Sequence, residues 1–233
     1  MKVKLISTTQ NLLDILYTGA RTCYNAGSPI DMFEEVDNIP PDKKLKLING
    51  CIKSGHSSVL EHSQFTFAIE GVSRSLMAQI TRHRIGVSFS IQSQRYVNLE
   101  GTFDYVTPKA LQDEGDLQGY FTECMQQAYE SYTELINKGV KPEDARAVLP
   151  NACCTNMVIT LNLRSLIHLC NERLCTRAQL EIRQLVQLMV KEVLRENEWL
   201  KPYLQPKCES LGYCPEHKGC GRKLSYNQLV DKE

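Results

Sequence analysis

The chain has 233 residues, and its 27 Lys and Arg balance its 27 Asp and Glu. This length supports one large domain or two small ones with a real core, and zero net charge argues against a broad basic surface for duplex nucleic acid. The first residues lack the long apolar segment of a secretory signal and no apolar run is long enough to span a bilayer, so a cytoplasmic protein away from membranes is expected, with its ten cysteines as reduced thiols.

Residues 2–7 (KVKLIS) alternate as a short strand. Residues 11–24 carry Leu12, Ile15 and Leu16 at helical spacing, and residues 25–43 read as an acidic, turn-rich connection ending near the Pro40-Pro41 pair. A helix over 43–55 is closed by Gly55, and 61–71 (EHSQFTFAIEG) alternate as a strand ending at Gly71. Residues 73–84 return to helical spacing. The longest amphipathic helix covers 116–139, and a short helix starts at Pro142 and stops before Pro150. A strand over 155–162 precedes helices over 163–174 and 177–197. Strands among helices without a regular βαβ alternation predict an α+β fold: an antiparallel or mixed sheet packed with helices in a single domain, residues 1–201. Residues 202–233 form a Cys-rich appendage in this division. Neither a G-x-G-x-x-G nor a G-x-x-x-x-G-K-[ST] loop occurs, so any nucleotide must be held by side chains.

Chemistry concentrates in Leu76 to Val97, LMAQITRHRIGVSFSIQSQRYV. With a helix running through 73–84, Gln79, Arg82 and His83 share one face, which suits a planar anionic ligand: Arg forks onto phosphate oxygens and Gln reads a base edge. A solvated helix end, with cations at the C-terminal dipole, has the same composition. A single-stranded nucleic-acid module using Arg82–Arg84 with Phe89 and Tyr96 is a second use of the segment, disfavoured by zero net charge and few aromatic residues. In the tail, Cys208, Cys214, His217 and Cys220 give C-x5-C-x2-H-x2-C, which is not a standard zinc spacing. No metal is assigned there, and a metal-stabilised interaction protein rests on this tail alone.

The company of the triplet is specific. RHR, a gap and then S-x-R resembles the signature of the flavin-dependent thymidylate synthases, with Gln79 three residues upstream of Arg82 as in that family. The segments SGHSSVLEHSQFTF, DARAVLP and LNLRSLIHLCNERLCTRAQLEIR resemble three further family segments in the same order. Two departures stand out. Eight residues, IGVSFSIQ, separate RHR from S-x-R where seven are common, which places Ile91 where many relatives carry Glu or Gln, with Gln92 next to it. Arg177 stands where relatives often have His, and no role is carried onto it.

The resemblance implies reductive methylation of dUMP to dTMP, with methylenetetrahydrofolate as one-carbon donor and NADPH-reduced FAD as hydride source, in a homotetramer and without a protein nucleophile. It implies His56, Ser58, Glu61, Arg82, His83, Arg84, Asn162, Arg164 and His168 for FAD. For dUMP it implies Gln79, Arg82, Gln92, Ser93, Arg95, Arg146 and Arg173. Helical spacing independently makes Asn162 an N-cap and puts Arg164 and His168 on one polar face, opposite Leu163, Leu166, Ile167, Cys170 and Leu174. Arg95 and Arg146 are the expected phosphate ligands, because a dianion rewards bidentate guanidinium contacts, against a surface ion pair of Arg146 with Glu143 or Asp144. Arg173 is the expected catalytic group, beside the pyrimidine carbonyl and N3, where it favours the ionised ring. Ser93 has His83 as a conceivable base but is assigned to substrate binding.

Overall fold

The computed structural model describes residues 1–97, 103–113 and 115–230. Strand β1 (Lys2–Thr8) leads to helices α1 (Leu12–Thr22), α2 (Pro29–Glu34) and α3 (Pro41–Lys53), and a 3-10 turn at Ser57–His62 opens strand β2 (Gln64–Ser73). Helix α4 (Arg74–Ile80) follows without a break, then strand β3 (Val87–Ile91), helices α5 (Lys109–Gln112), α6 (Gly115–Asn137) and α7 (Pro142–Ala145), and strand β4 (Cys154–Asn162). Helices α8 (Leu163–Arg173) and α9 (Leu180–Leu194) complete the body; α10 (Lys207–Leu211) and α11 (Tyr226–Val230) lie in the tail.

Among the described residues the sheet has four strands in the order β1-β2-β4-β3, each pair antiparallel. Alternation decides its sidedness: Phe65, Phe67 and Ile69 of β2 and Met157, Ile159 and Leu161 of β4 are buried on one face. Each such side chain contributes about 1.5–3 kcal/mol on burial, so a one-residue slip of register would expose the whole set. Helices α8 and α9 cover this face through Leu163, Leu166 and Cys170 and through Ile182, Leu185, Val186 and Met189. Helices α1 and α3 extend the same core with Leu16, Ala20 and Ile48, and Lys44, 6% exposed, is neutralised by Asp14 at 2.5 Å across them. A second cluster holds α6 through Met125 to Phe103 and Cys153.

The α+β architecture agrees with the sequence expectation, with local corrections. The expected strand over 61–71 begins only at Gln64 and runs on to Ser73, because Ser57–His62 coil into the 3-10 turn. Gly71 does not end it: the β2–β4 register shifts between Ile69 and Val72, and Gly71 sits in that bulge at φ +68°. The helix over 73–84 stops at Ile80, where Thr81 turns its hydroxyl back onto the Met77 carbonyl at 2.9 Å. Arg82, His83 and Arg84 therefore occupy a turn, not a helical face. The connection 25–43 contains α2, capped by Ser28, whose Oγ accepts the Ile30 N–H. Strand β3 was not expected at all.

Candidate active site

Two tight junctions place the Arg82–Arg84 turn. Gly86 has φ +65°, and a Cβ there would lie 2.4 Å from Asn162 Nδ2 and 2.6 Å from Ser165 Oγ, so only glycine lets this backbone press against the start of α8. Ser165 Oγ–H donates to the Ile85 carbonyl at 2.7 Å, and the Asn162 N–H donates to the Gly86 carbonyl at 3.1 Å. Asn162 also caps α8 as its spacing predicts, its Oδ1 accepting the Ser165 N–H at 2.9 Å. The turn is thus stapled to the N-terminus of the helix that carries Arg164, His168 and Arg173.

At the other end of α8, Arg173 Nε donates to His83 Nε2 at 3.0 Å and its Nη2 reaches the Gln79 carbonyl at 3.5 Å. The His83 ring meets the His168 ring edge-on at 5.6 Å. Burial, then the Arg173 charge and the His168 ring, lower the His83 pKa from 6.5 to about 4, with Glu172 opposing. Near neutral pH His83 is therefore an uncharged acceptor that orients Arg173, and the triplet supplies two cations rather than three. Among the described residues no ion pair engages Arg82, Arg84 or Arg173.

A second group forms around Glu143, in α7. Arg95 Nε contacts its carboxylate at 2.5 Å, and Arg146 Nε donates to its backbone carbonyl at 2.9 Å. The ion pair weighed against a phosphate role for Arg146 is thus made by Arg95 instead. Ser93 Oγ accepts the Arg95 N–H at 3.1 Å, and no hydrogen bond joins it to His83 among the described residues. Strand alternation turns Val87, Phe89 and Ile91 onto the core, so Phe89 is not free to stack on a base, while Gln92 is exposed at the strand end. Of the exposed pair, Arg95 itself lies over the Tyr96 ring at 5.2 Å.

A third group joins the turn before β2 to α8: Glu61 pairs with Arg164 at 2.6 Å. Ser58 and His56 are exposed on the same turn, and His56 Nδ1 lies 3.5 Å from the Tyr24 hydroxyl. His56 edges an open cleft of about 510 Å³ that also takes in Tyr17, Arg21, Lys43 and Lys46. His168 is exposed beside Arg164 on the outer face of α8, as its spacing predicts.

Sequence reasoning missed three residues. Arg74 donates to the Gln92 carbonyl at 2.8 Å, and its buried Nε has no partner among the described residues. Burial and the nearby Arg146 charge lower its pKa, so Arg74 is a further guanidinium close to Arg146. Its position beside Ser73 at a helix start hid it, because nothing in the spacing distinguishes it from a solvated first-turn residue. Gln179 and Glu181, near the start of α9, both reach back to α4: Gln179 Oε1 accepts from Gln79 Nε2 at 2.7 Å, and Glu181 accepts the N–H and hydroxyl of Ser73 at 2.7 and 2.6 Å. A glutamate at an otherwise buried helical position was the available signal.

In the tail, Cys208, Cys214 and Cys220 face a cavity of about 170 Å³ together with Cys175, and His217 does not line it. Among the described residues no three His, Cys, Asp or Glu side chains are gathered to hold a metal ion. Burial raises the pKa of the Cys170 thiol, which lies on the core face of α8. No helix among the described residues is long and apolar enough to cross a membrane.

Comparison with known proteins shows the family of the chain. A flavin-dependent thymidylate synthase of Nitratidesulfovibrio vulgaris is 42% identical over 236 aligned positions, spanning 95% of this chain and 94% of the relative. Proteins of the same name from Clostridium tetani and Pyrococcus furiosus are 38% and 37% identical, with 98% and 96% of this chain covered and 96% and 94% of theirs. Residues 4–197, which hold every side chain of the three groups, match the family described as "Thymidylate synthase complementing protein", and the chain belongs to that family.

Proposed function

We infer that this chain is a flavin-dependent thymidylate synthase, converting dUMP to dTMP with methylenetetrahydrofolate, NADPH and FAD. The observation that carries the inference is the arrangement of Arg173 at the end of α8, His83 on the turn after α4 and Gln79 in α4, with the guanidiniums of Arg95, Arg146 and Arg74 as further cations. A pyrimidine nucleotide needs a charged donor at its ring and a cluster of cations at its phosphate, and these groups supply both.

The residues fit FAD in their chemistry. Arg82 and Arg84 stand exposed without an acid partner among the described residues, on the turn that is stapled to the start of the helix carrying Arg164 and His168, and Ser58, His56 and Glu61 add polar atoms on the turn that Arg164 reaches. Such a donor set suits a pyrophosphate with a polar ring system. When bound, FAD supplies the hydride that NADPH has delivered to it, and that chemistry is the cofactor's own. Arg173, held by a neutral imidazole, keeps its full charge for the pyrimidine carbonyl and N3, and so stabilises negative charge on the ring as C5 becomes nucleophilic. Arg95 and Arg146, with Arg74 behind them, take the phosphate, and Ser93 and Gln92 line the path between phosphate and base. No protein nucleophile is needed: no hydrogen bond joins Ser93 to a base among the described residues, and Cys170 is buried with a raised pKa.

Ile85, which follows the Arg82–Arg84 turn, and Tyr96, which follows Arg95, are 86% and 78% exposed. A homotetramer in which a second copy covers these apolar groups and completes the site is part of the same proposal. The test is dTMP formation with each of dUMP, methylenetetrahydrofolate, NADPH and FAD omitted in turn, together with the flavin absorption spectrum. A bound flavin spectrum perturbed by dUMP, and product that needs all four, is the expected result. Protein with no affinity for FAD and no product would overturn it. Salt-dependent binding of single-stranded oligonucleotide without turnover would favour a nucleic-acid module, a role that the packing of Phe89 into the core already weakens.

A further inference from the structure

Helix α4 is gripped at both ends by the start of α9. At its N-terminus, Glu181 is only 8% exposed, and both carboxylate oxygens are spent on Ser73: Oε1 accepts the backbone N–H at 2.7 Å and Oε2 accepts the hydroxyl at 2.6 Å. Ser73 Oγ in turn accepts the Leu76 N–H at 3.0 Å and so caps α4. Near its C-terminus, the Gln79 amide donates to Gln179 Oε1 at 2.7 Å and to the Ser75 carbonyl at 3.3 Å. Both donor directions of Gln79 are then occupied, and its Oε1 is the end left for a substrate N–H or O–H.

Burying a carboxylate is expensive, and no cation pairs with Glu181 among the described residues. Its first-turn place in α9 and its two hydrogen bonds offset that cost, but an apolar side chain of equal volume would pack there without incurring it. What an apolar side chain cannot do is fix the azimuth and height of α4. Only seven residues long, α4 carries Gln79 and feeds directly into the Arg82–Arg84 turn, so a small rotation at Ser73 moves every group that follows.

We propose that Glu181 and Gln179 are positioning residues: a two-point clamp, built into the start of α9, that holds α4 so that Gln79 and the Arg82–Arg84 turn meet the nucleotide. The clamp joins parts that are far apart in the chain, Ser73 with Glu181 and Gln79 with Gln179, and Arg173 ends α8, a few residues before it. The proposal rests on the assignment of dUMP as substrate for its kinetic consequence, but not for its mechanical one.

The test compares the holoenzyme with Glu181→Gln, Gln179→Leu and Gln179→Glu, and with Ile48→Val in α3 as a control that loses core packing far from the clamp. Glu181→Gln leaves one Ser73 donor without an acceptor, and Gln179→Leu frees the Gln79 amide. Each is expected to raise the KM for dUMP about tenfold, the size of one lost buried hydrogen bond. Gln179→Glu retains the acceptor and should keep the parental KM. The control should lower Tm without changing KM. Backbone hydrogen exchange at residues 79–84 should quicken in Glu181→Gln and not in the control. A parental dUMP KM in Gln179→Leu, or parental exchange at 79–84 in a folded Glu181→Gln, overturns the clamp. Should the parent enzyme make no dTMP, the substrate assignment fails instead, and the exchange experiment still decides the clamp.

Discussion

Arg173 and Arg95 are both proposed to face dUMP, yet the fold holds them by opposite means. Arg173 ends α8, and its partners are a neutral imidazole and a backbone carbonyl. Arg95 lies beyond β3 on an exposed segment, its side chain 53% accessible and paired with the Glu143 carboxylate. Neutral partners orient a guanidinium without cancelling its charge, so Arg173 is ready for a ring on which charge only develops during reaction. A half-exposed carboxylate partner is worth about 0–1 kcal/mol, so a phosphate dianion that carries its own charge displaces it at little cost. The difference is between a group preorganised for a transient charge and one exchangeable for a permanent charge.

The largest expected effect breaks the Arg173 side of this contrast. Arg173→Ala should retain FAD, by absorbance, while turnover to dTMP falls about a thousandfold, the scale of losing a donor at developing charge. The penalty should be the same when deoxyuridine replaces dUMP, since the phosphate is not involved. Full dTMP formation by this variant would refute the assignment. Arg95→Ala should raise the dUMP KM by about ten- to a hundredfold, from loss of a charge-assisted contact. With deoxyuridine that penalty should vanish. If both variants respond to removal of the phosphate alike, the division of labour is wrong.

Acid sharpens the comparison from another direction. The His83 pKa is lowered to about 4 in the folded protein, below its ordinary 6.5. The unfolded chain therefore takes up this proton first as pH falls, so folded-state stability declines between about pH 6.5 and about pH 4, with no further loss from this group below that window. Thermal melts across that range should show the decline, and His83→Asn should flatten it. Protonated His83 can no longer accept from Arg173, so dUMP affinity should fall as pH approaches 4, more steeply in the parent than in His83→Asn.

How much of this was legible in the sequence follows from which forces act locally. The long elements were readable because a core-facing period repeats along them, as in α8, where Leu163, Leu166 and Cys170 are buried as their spacing demands. The Asn162 cap was readable for the same reason: its hydrogen bond lies within one turn. The end of α4 was not, because it depends on Gly86 pressing against Asn162 and Ser165, residues almost eighty positions away. Strand β3 is only five residues long and gains its identity by pairing with β4. The family motifs pointed to residues that fall into three groups, at α4 and the end of α8, around Glu143, and on the turn before β2. Which of them pair with one another, Arg95 rather than Arg146 with the Glu143 carboxylate and neutral His83 with Arg173, depends on tertiary contacts that no spacing encodes. The same holds for Arg74, Gln179 and Glu181, whose partners lie across the fold.

The smallest effect tests whether Glu143 is a placeholder for phosphate or a structural partner of Arg95. As a placeholder, its carboxylate competes with the incoming dianion and repels it, so Glu143→Gln should lower the dUMP KM by about two- to threefold at low salt. Because the pair is solvent-exposed, the gain should shrink as ionic strength rises and the Debye length shortens to about 8 Å. The Arg146 bond is to the Glu143 backbone carbonyl and survives the substitution, so any change reports on Arg95 alone. A structural partner gives the opposite sign: Arg95 would lose its orientation and the KM would rise, at every salt concentration and with no comparable change for deoxyuridine. Steady-state kinetics with both substrates at two ionic strengths separates the outcomes, and a rise would mean that Arg95 must be held in place, as Arg173 is, before it can bind.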